Sequence, residues 1–313
     1  MSETGRHKRM PLRYVIEYAL FRVLGVLVRF FPAYSAHRVG AKVGRAFYPL
    51  LTSRRRVALR NLRNAFPELS RQQIEQIAKE SFESVTTSFL ELMAFERFSA
   101  EDIKRQIRIE NLGLLTDARR SNRGAIFLTA HFGNWELAAQ AIAVYVDRPL
   151  HIIVKTQRNP LVDRRLVGWR TKFGARLIPM DNAVREVLRV LKDAEMVGLA
   201  ADQAASKESI SVEFFGRSVP TFAGPAAFAL KTGAPLILGL AERQPDGTYI
   251  MRLAEIPSAD LGEHSDEAVL ELTRRQVRMT EEMIRRSPGQ WMWMHKRWKH
   301  VADRPGVMLE ELR

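Results

Sequence analysis

At 313 residues the chain has room for one large domain with embellishments or for two small ones, and its 46% hydrophobic content, with five Trp and sixteen Phe, excludes global disorder. It contains no cysteine, so disulfides and thiolate metal sites are excluded, and a reducing compartment is compatible. The formal charge of +14 is concentrated at one end: residues 1–64 hold 14 Lys/Arg against Glu3 and Glu17, or +12, which leaves the remainder near neutral at +2.

Residues 1–10 form a polar, basic leader. Tyr14–Phe31 reads as an 18-residue apolar helix closed by Pro32, but Glu17, Arg22 and Arg29 make it a poor isolated membrane span. A basic segment can serve nucleic acid or an anionic membrane surface. An apolar helix inside that segment favours the membrane over nucleic acid, as an anchor lying in the plane or snorkelling at its ends. The same residues also fit a helix buried against the domain with its arginines solvated. The stretch is broken by charge and lacks a small-residue cleavage site, so it does not read as a secretory signal.

Ser35–Leu51 and Arg54–Asn64 read as further helices, and Pro67 breaks the chain. Ser70 with Gln73 has the form of a capping box, and Ile74, Ile77, Phe82, Val85, Phe89 and Leu92 mark a long amphipathic helix. From Ile107 the pattern becomes that of an α/β sheet. Strands are expected at Ile107–Glu110, Ala125–Ala130, His151–Lys155, Arg176–Pro179, Met196–Ala201, Val212–Phe215, Pro235–Leu240 and Tyr249–Ile256. Helices are expected over 111–120, 135–146, 160–172, 182–193, 223–232 and 265–286. The expected organisation is a leader and anchor helix (1–33), a helical front (34–106) and an α/β body (107–313), the last two forming one continuous unit.

Chemistry concentrates where Ala125–Ala130, an apolar run typical of a strand covered on both faces, meets the helix opening near Trp135. The break carries His131, Gly133 and Asn134, with Asn134 able to cap the helix and Glu136 in its first turn. Open α/β sheets bind ligands at the carboxyl ends of their strands. Glu136 is close enough in sequence to orient the imidazole while its other nitrogen removes a substrate proton. The same residues equally fit a helix start with a dipole-matched glutamate and a backbone-satisfied histidine. No G-x-S-x-G elbow, cysteine nucleophile, H-E-x-x-H or Walker loop is present, so the nucleophile is read as a substrate hydroxyl or water.

His131-Phe-Gly-Asn-Trp-Glu136 resembles the H-x-x-x-x-E/D motif of the lysophospholipid and glycerolipid acyltransferase superfamily, in the form found in the bacterial lipid A late (lauroyl/myristoyl) acyltransferases. Four further stretches agree with that family in order: Asn61-Leu62 with Ala65-Phe66-Pro67; Asn159-Pro160 with Arg170 and Gly174; Asp202-Gln203 with Phe214-Phe215-Gly216 and Gly224; and the tail Pro288-Gly-Gln-Trp-Met-Trp-Met-His-Lys-Arg-Trp-Lys299. The resemblance covers roughly residues 14–300. It implies an α/β fold, a glycerolipid-acyltransferase-like mixed sheet flanked by helices, behind an N-terminal membrane-binding helical segment. It further implies an acyl thioester donor, usually acyl-acyl carrier protein, and a glycolipid hydroxyl acceptor at the cytoplasmic face of the inner membrane, with no metal or cofactor. His131 becomes the general base and Glu136 its orienting partner. Arg170 and Asp202 fall on positions the family needs, Arg170 to hold a phosphate or carbonyl oxygen, Asp202 to orient Arg170 or His131. Gly133 and Asn134 are placed with them on the substrate side. An acyltransferase for another glycolipid or a lysophospholipid, such as a phosphatidylinositol mannoside, using acyl-CoA, is the second reading. Phe214, Phe215 and Phe222 are candidates for an acyl groove or plain core, and Trp291, Trp293 and Trp298 for packing of the tail onto the body.

Overall fold

The computed structural model describes residues 10–29, 36–120 and 123–304. Most of the basic leader, and Pro32 as the stop of the first helix, lie outside them. The front of the chain is helical as expected: α1 (Leu12–Arg29), α2 (Ala36–Leu50), α3 (Thr52–Ala65) and α4 (Arg71–Ala94). Ser70 and Gln73 close a reciprocal capping box, each side chain taking the other's backbone N–H. A second box, Ser99 with Asp102, opens the short α5 (Ala100–Gln106), which the sequence reading held within the helical front without giving it bounds of its own. Seven residues are too few for a 3.6-residue period to stand out, so only the cap announced that helix.

The body follows as β1 (Ile107–Glu110), α6 (Gly113–Arg120), β2 (Ala125–Thr129), α7 (Trp135–Val146), β3 (Leu150–Val154), α8 (Pro160–Thr171), β4 (Arg176–Pro179), α9 (Ala183–Lys192) and β5 (Met196–Ala200). Then come β6 (Ser211–Glu213), β7 (Ser218–Pro220), α10 (Gly224–Thr232), β8 (Leu236–Arg243), β9 (Tyr249–Glu255) and α11 (Asp266–Arg286). Among the described residues seven strands form one sheet in the order β1-β9-β8-β2-β5-β3-β4, parallel except where β9 runs against β8. β6 and β7 make a separate hairpin. β7, absent from the sequence reading, is three residues long and ends on a proline, so it offers no alternation to detect.

β2 is the inner strand, paired with β8 on one side and β5 on the other, and all five of its residues are buried. Its side chains alternate between two cores. Ile126 and Leu128 join a cluster with the start of α4, with α9 to α11 and with the tail tryptophans. Ala125 and Phe127 join a second cluster with the end of α4, α5, α7 and Trp169. The period of two that sends neighbours to opposite faces produces this division. α4 reaches both clusters, Ile74 and Phe82 lying in the first and Leu90 and Leu92 in the second, so one helix of the front spans the layers on both faces of the sheet.

α1 is docked rather than free. Asn159 donates to the Tyr14 carbonyl at 2.9 Å and to the Glu17 carboxylate at 3.0 Å, and Phe21 stacks near Trp169 with ring centres 5.4 Å apart. Its other face leaves Leu12, Val15, Ile16, Leu20, Val23 and Val26 exposed. Among the described residues no helix is long and apolar enough to cross a membrane.

Candidate active site

β2 and β5 are parallel neighbours, with Thr129 in register with Ala200. Two residues past each strand, that register sets His131 opposite Asp202 at the carboxyl edge of the sheet. The Asp202 carboxylate takes the His131 ring through Nδ1 at 2.8 Å on one oxygen. Its other oxygen accepts the His131 backbone N–H at 2.9 Å and the Trp291 indole N–H at 2.8 Å. A carboxylate held on both oxygens fixes the ring's tautomer, with the proton on Nδ1 and the lone pair on Nε2. Nε2 faces the Gln203 side-chain amide at 3.2 Å.

The electrostatics agree with this geometry. Burial pulls the His131 ring toward its neutral form, but the charge and hydrogen bond of Asp202 outweigh burial; Glu136 adds to the rise and Arg170 subtracts, so the pKa stands above the ordinary 6.5. Burial would push the Asp202 carboxyl up, yet His131 and the indole hold it below its usual value. His295, from the same tail, is brought down to about 4, chiefly by burial, and is neutral at physiological pH.

Glu136 does not orient the histidine, contrary to the sequence expectation. Its carboxylate makes a two-pronged pair with Arg170, Nε to one oxygen at 3.0 Å and Nη2 to the other at 2.5 Å. Both side chains are largely buried, 8% and 18% exposed. Glu136 sits on the first turn of α7 and faces α8, whereas the strand pairing brings Asp202 to the imidazole from 71 residues away. Gln140, one turn along α7, donates to the Arg170 carbonyl at 2.8 Å and ties the two helices at the same point. The pair thus fixes a guanidinium beside the dyad, with its Nη1 edge unpartnered among the described residues.

Gly133 and Asn134 build the turn rather than the substrate side. Gly133 has φ +51°, and a Cβ there would collide with the Ala241 carbonyl. Its N–H goes to the Gln290 carbonyl at 2.9 Å, and its own carbonyl accepts from the Ser88 hydroxyl. Asn134 is fully buried; it caps α7 through Leu137 N–H at 2.8 Å and donates to Glu91 at 2.6 Å. Glu91 also accepts from the Tyr249 hydroxyl at 2.6 Å, beneath Arg243. With every polar atom of Asn134 engaged in this network, none faces a ligand.

The tail is the part of the site that sequence reasoning undervalued. Met292 donates to the His131 carbonyl at 3.0 Å, and Phe132 bridges Trp291 as an isolated antiparallel pair, so the tail's backbone clasps the catalytic turn. Trp291, Trp293 and Trp298 are all buried, as the packing reading expected, and pack with Phe214 and Phe215. That assigns both phenylalanines to core; Phe222 is exposed. What packing alone did not suggest is that Trp291 holds Asp202. The repeated aromatic-histidine-arginine tail was the available signal. Thr129 lines a cavity of about 20 Å³ together with Asp202, Gln276 and the buried Arg297, and its buried hydroxyl has no hydrogen-bond partner among the described residues.

An imidazole with a carboxylate on one nitrogen and a lone pair on the other, beside a fixed guanidinium and, among the described residues, without a serine or cysteine against the ring, has the geometry to take a proton from a substrate hydroxyl or from water. The chain belongs to the bacterial lipid A biosynthesis acyltransferase family, whose profile matches residues 3–300, and is accordingly an O-acyltransferase. It is 24% identical over 289 residues to the lipid A biosynthesis lauroyltransferase of Escherichia coli (strain K12), covering 92% of each chain. It is 24% identical to the lipid A biosynthesis palmitoleoyltransferase of the same organism, over 83% of this chain and 84% of that one. It is also similar to a phosphatidylinositol mannoside acyltransferase of Mycolicibacterium smegmatis, 26% identical over 63% of this chain and 64% of the relative.

Proposed function

We propose that this protein moves a fatty acyl chain from an acyl thioester, carried by acyl carrier protein, to a hydroxyl of a lipid A precursor or related glycolipid at the cytoplasmic face of the inner membrane. The observation that carries the reading is the His131–Asp202 dyad, its Nε2 lone pair turned away from the carboxylate at the sheet edge. Nε2 removes the acceptor hydroxyl's proton, and the oxygen attacks the thioester carbonyl. The tetrahedral intermediate collapses, the C–S bond breaks, and the imidazolium returns the proton to the departing thiolate. Asp202 steadies the imidazolium in between. Arg170, fixed by Glu136, offers its remaining edge to the oxyanion or to an acceptor phosphate. The exposed apolar stripe of α1 supports a helix lying in the membrane surface.

The phosphatidylinositol mannoside relative supports a second acceptor class, and acyl-CoA a second donor. Mass spectrometry of lipid A and total glycolipids with and without the protein separates the acceptors, because each predicts a different species short of one acyl chain. Purified enzyme given acyl-acyl carrier protein or acyl-CoA separates the donors. An unchanged lipid profile would overturn the reading.

Two predictions belong to this mechanism. Because the base works neutral and its pKa is raised, kcat/KM should be flat at alkaline pH and fall on the acid side through a limb above pH 6.5. Asp202→Asn should lower the plateau and move that limb downward, since the carboxylate's contribution is lost; an unmoved limb would remove Asp202 as the partner. Transfer should also be direct. There is no cysteine, and the Thr129 hydroxyl has no hydrogen-bond partner among the described residues that could act as its base. Incubation with labelled donor alone, followed by quenching and digestion, should yield no labelled peptide, and a stoichiometric one that discharges onto acceptor would contradict the scheme.

A further inference from the structure

A cavity of about 500 Å³ lies outside the active site, between α2, α3 and the first half of α4. Its wall carries Arg45, Arg55, Arg63, Arg71 and Lys79 against a single acidic residue, Glu75. Two of these cations are partly answered: Arg45 pairs with Glu83 at 2.6 Å and Arg71 with Glu75 at 3.6 Å. Arg55, Arg63 and Lys79 have no carboxylate within ion-pair distance among the described residues. Arg55 and Lys79 instead lie over the ring of Tyr48, at 5.7 and 5.8 Å from its centre. Like charges gathered around a concave space repel one another, and an anion entering that space relieves the repulsion.

The rim points to where the anion comes from. Tyr48 and Pro49 line the cavity, and the residues on either side of them, Phe47, Leu50 and Leu51, are exposed large apolar side chains at the α2–α3 corner, Leu50 at 70%. A soluble anion gives such a corner nothing to bury. A bilayer gives both parts a place, the apolar side chains among the acyl chains and the cations at the phosphates. Lys79 and Ser88, whose hydroxyl braces the catalytic turn, are nine residues apart on α4, roughly 14 Å along a helix axis. The cavity is therefore a second site and not an arm of the first.

We propose that this cavity takes the phosphate of an anionic membrane lipid headgroup, with Phe47, Leu50 and Leu51 seated in the bilayer beside it. This holds whether or not the acylation reading does, because its test reads binding and not turnover. Flotation of the full chain with phosphatidylcholine vesicles, with or without phosphatidylglycerol, is compared with the Arg63→Gln/Lys79→Gln double variant. The variant should bind the phosphatidylglycerol vesicles about 10- to 30-fold more weakly while its binding to pure phosphatidylcholine is unchanged. Leu50→Asp should weaken binding to both. Leu20→Asp, on the α1 stripe, should lower overall binding yet leave the loss caused by the double variant intact. Arg63→Lys should retain the preference for anionic lipid, and matched thermal melting confirms that the variants are folded. Equal binding of wild type and double variant to phosphatidylglycerol would overturn the proposal. So would displacement of the protein from vesicles by millimolar inorganic phosphate alone, which would make it a free-anion site. Loss of acyl carrier protein binding in the double variant with lipid binding untouched would assign the cavity to a soluble acidic partner and overturn it too.

Discussion

His131→Ala should lower the acylation rate by about 100- to 10,000-fold, the range a positioned general base contributes, with little change in melting temperature. The ring is 20% exposed and its removal leaves the turn held by backbone: Met292 still donates to the residue 131 carbonyl and Gln290 still accepts from Gly133. The cost falls on Asp202, which loses its imidazole but keeps the backbone N–H of residue 131 and the Trp291 indole. Two donors remaining on one oxygen keep the carboxylate tolerable in place. Near-normal turnover by a folded His131→Ala protein would remove His131 as the base. His131→Gln serves as a second variant, since it refills the space without a titratable nitrogen.

Glu136→Ala should lower activity by orders of magnitude too, but through a different route and with a clear loss of stability. It strips the two-pronged partner from a guanidinium that is 18% exposed, and breaking a buried ion pair on one side costs about 3–5 kcal/mol. Arg170 would then seek water or another carboxylate and leave its position beside the dyad. The double variant Glu136→Leu/Arg170→Met removes both charges and should regain most of the lost melting temperature while staying inactive. That contrast separates placement of the guanidinium from stability. If Glu136→Ala both melted and turned over like wild type, the pair would carry neither role.

Local signals made most elements legible. The apolar run Ala125–Ala130 gave β2 because a strand covered on both faces needs no polar positions, and all five assigned residues are buried. The capping pattern at Ser70 marked the start of α4, and Asn134 was read correctly as the α7 cap, because such hydrogen bonds join residues two or three apart. Elements without periodicity fared worse for the converse reason: β7 escaped, and α5 was left without bounds of its own inside the helical front. His131, Glu136, Arg170 and Asp202 were all singled out, two of them, Arg170 and Asp202, by a resemblance in motif order and spacing, and all four lie together at the sheet edge.

Their pairing was only partly legible: Asp202 was read as orienting either Arg170 or His131, and Glu136 was read as the partner of the imidazole. In sequence Glu136 stands five residues from His131 and Asp202 stands 71 away, and proximity along the chain favours the first. Which carboxylate meets the ring depends on β5 lying beside β2 in parallel with Thr129 opposite Ala200, a register set by burial of both strands in the sheet. The same holds for Trp291, whose indole reaches Asp202 only because the tail returns to clasp the turn, and for the basic cavity, whose cations are scattered from Arg45 to Lys79 over three helices. Residue types, local elements and the charge of the N-terminal quarter were thus determined by the sequence alone. The partner of each charge was decided by tertiary structure, because hydrogen bonds and ion pairs act over a few ångströms and only folding sets those distances.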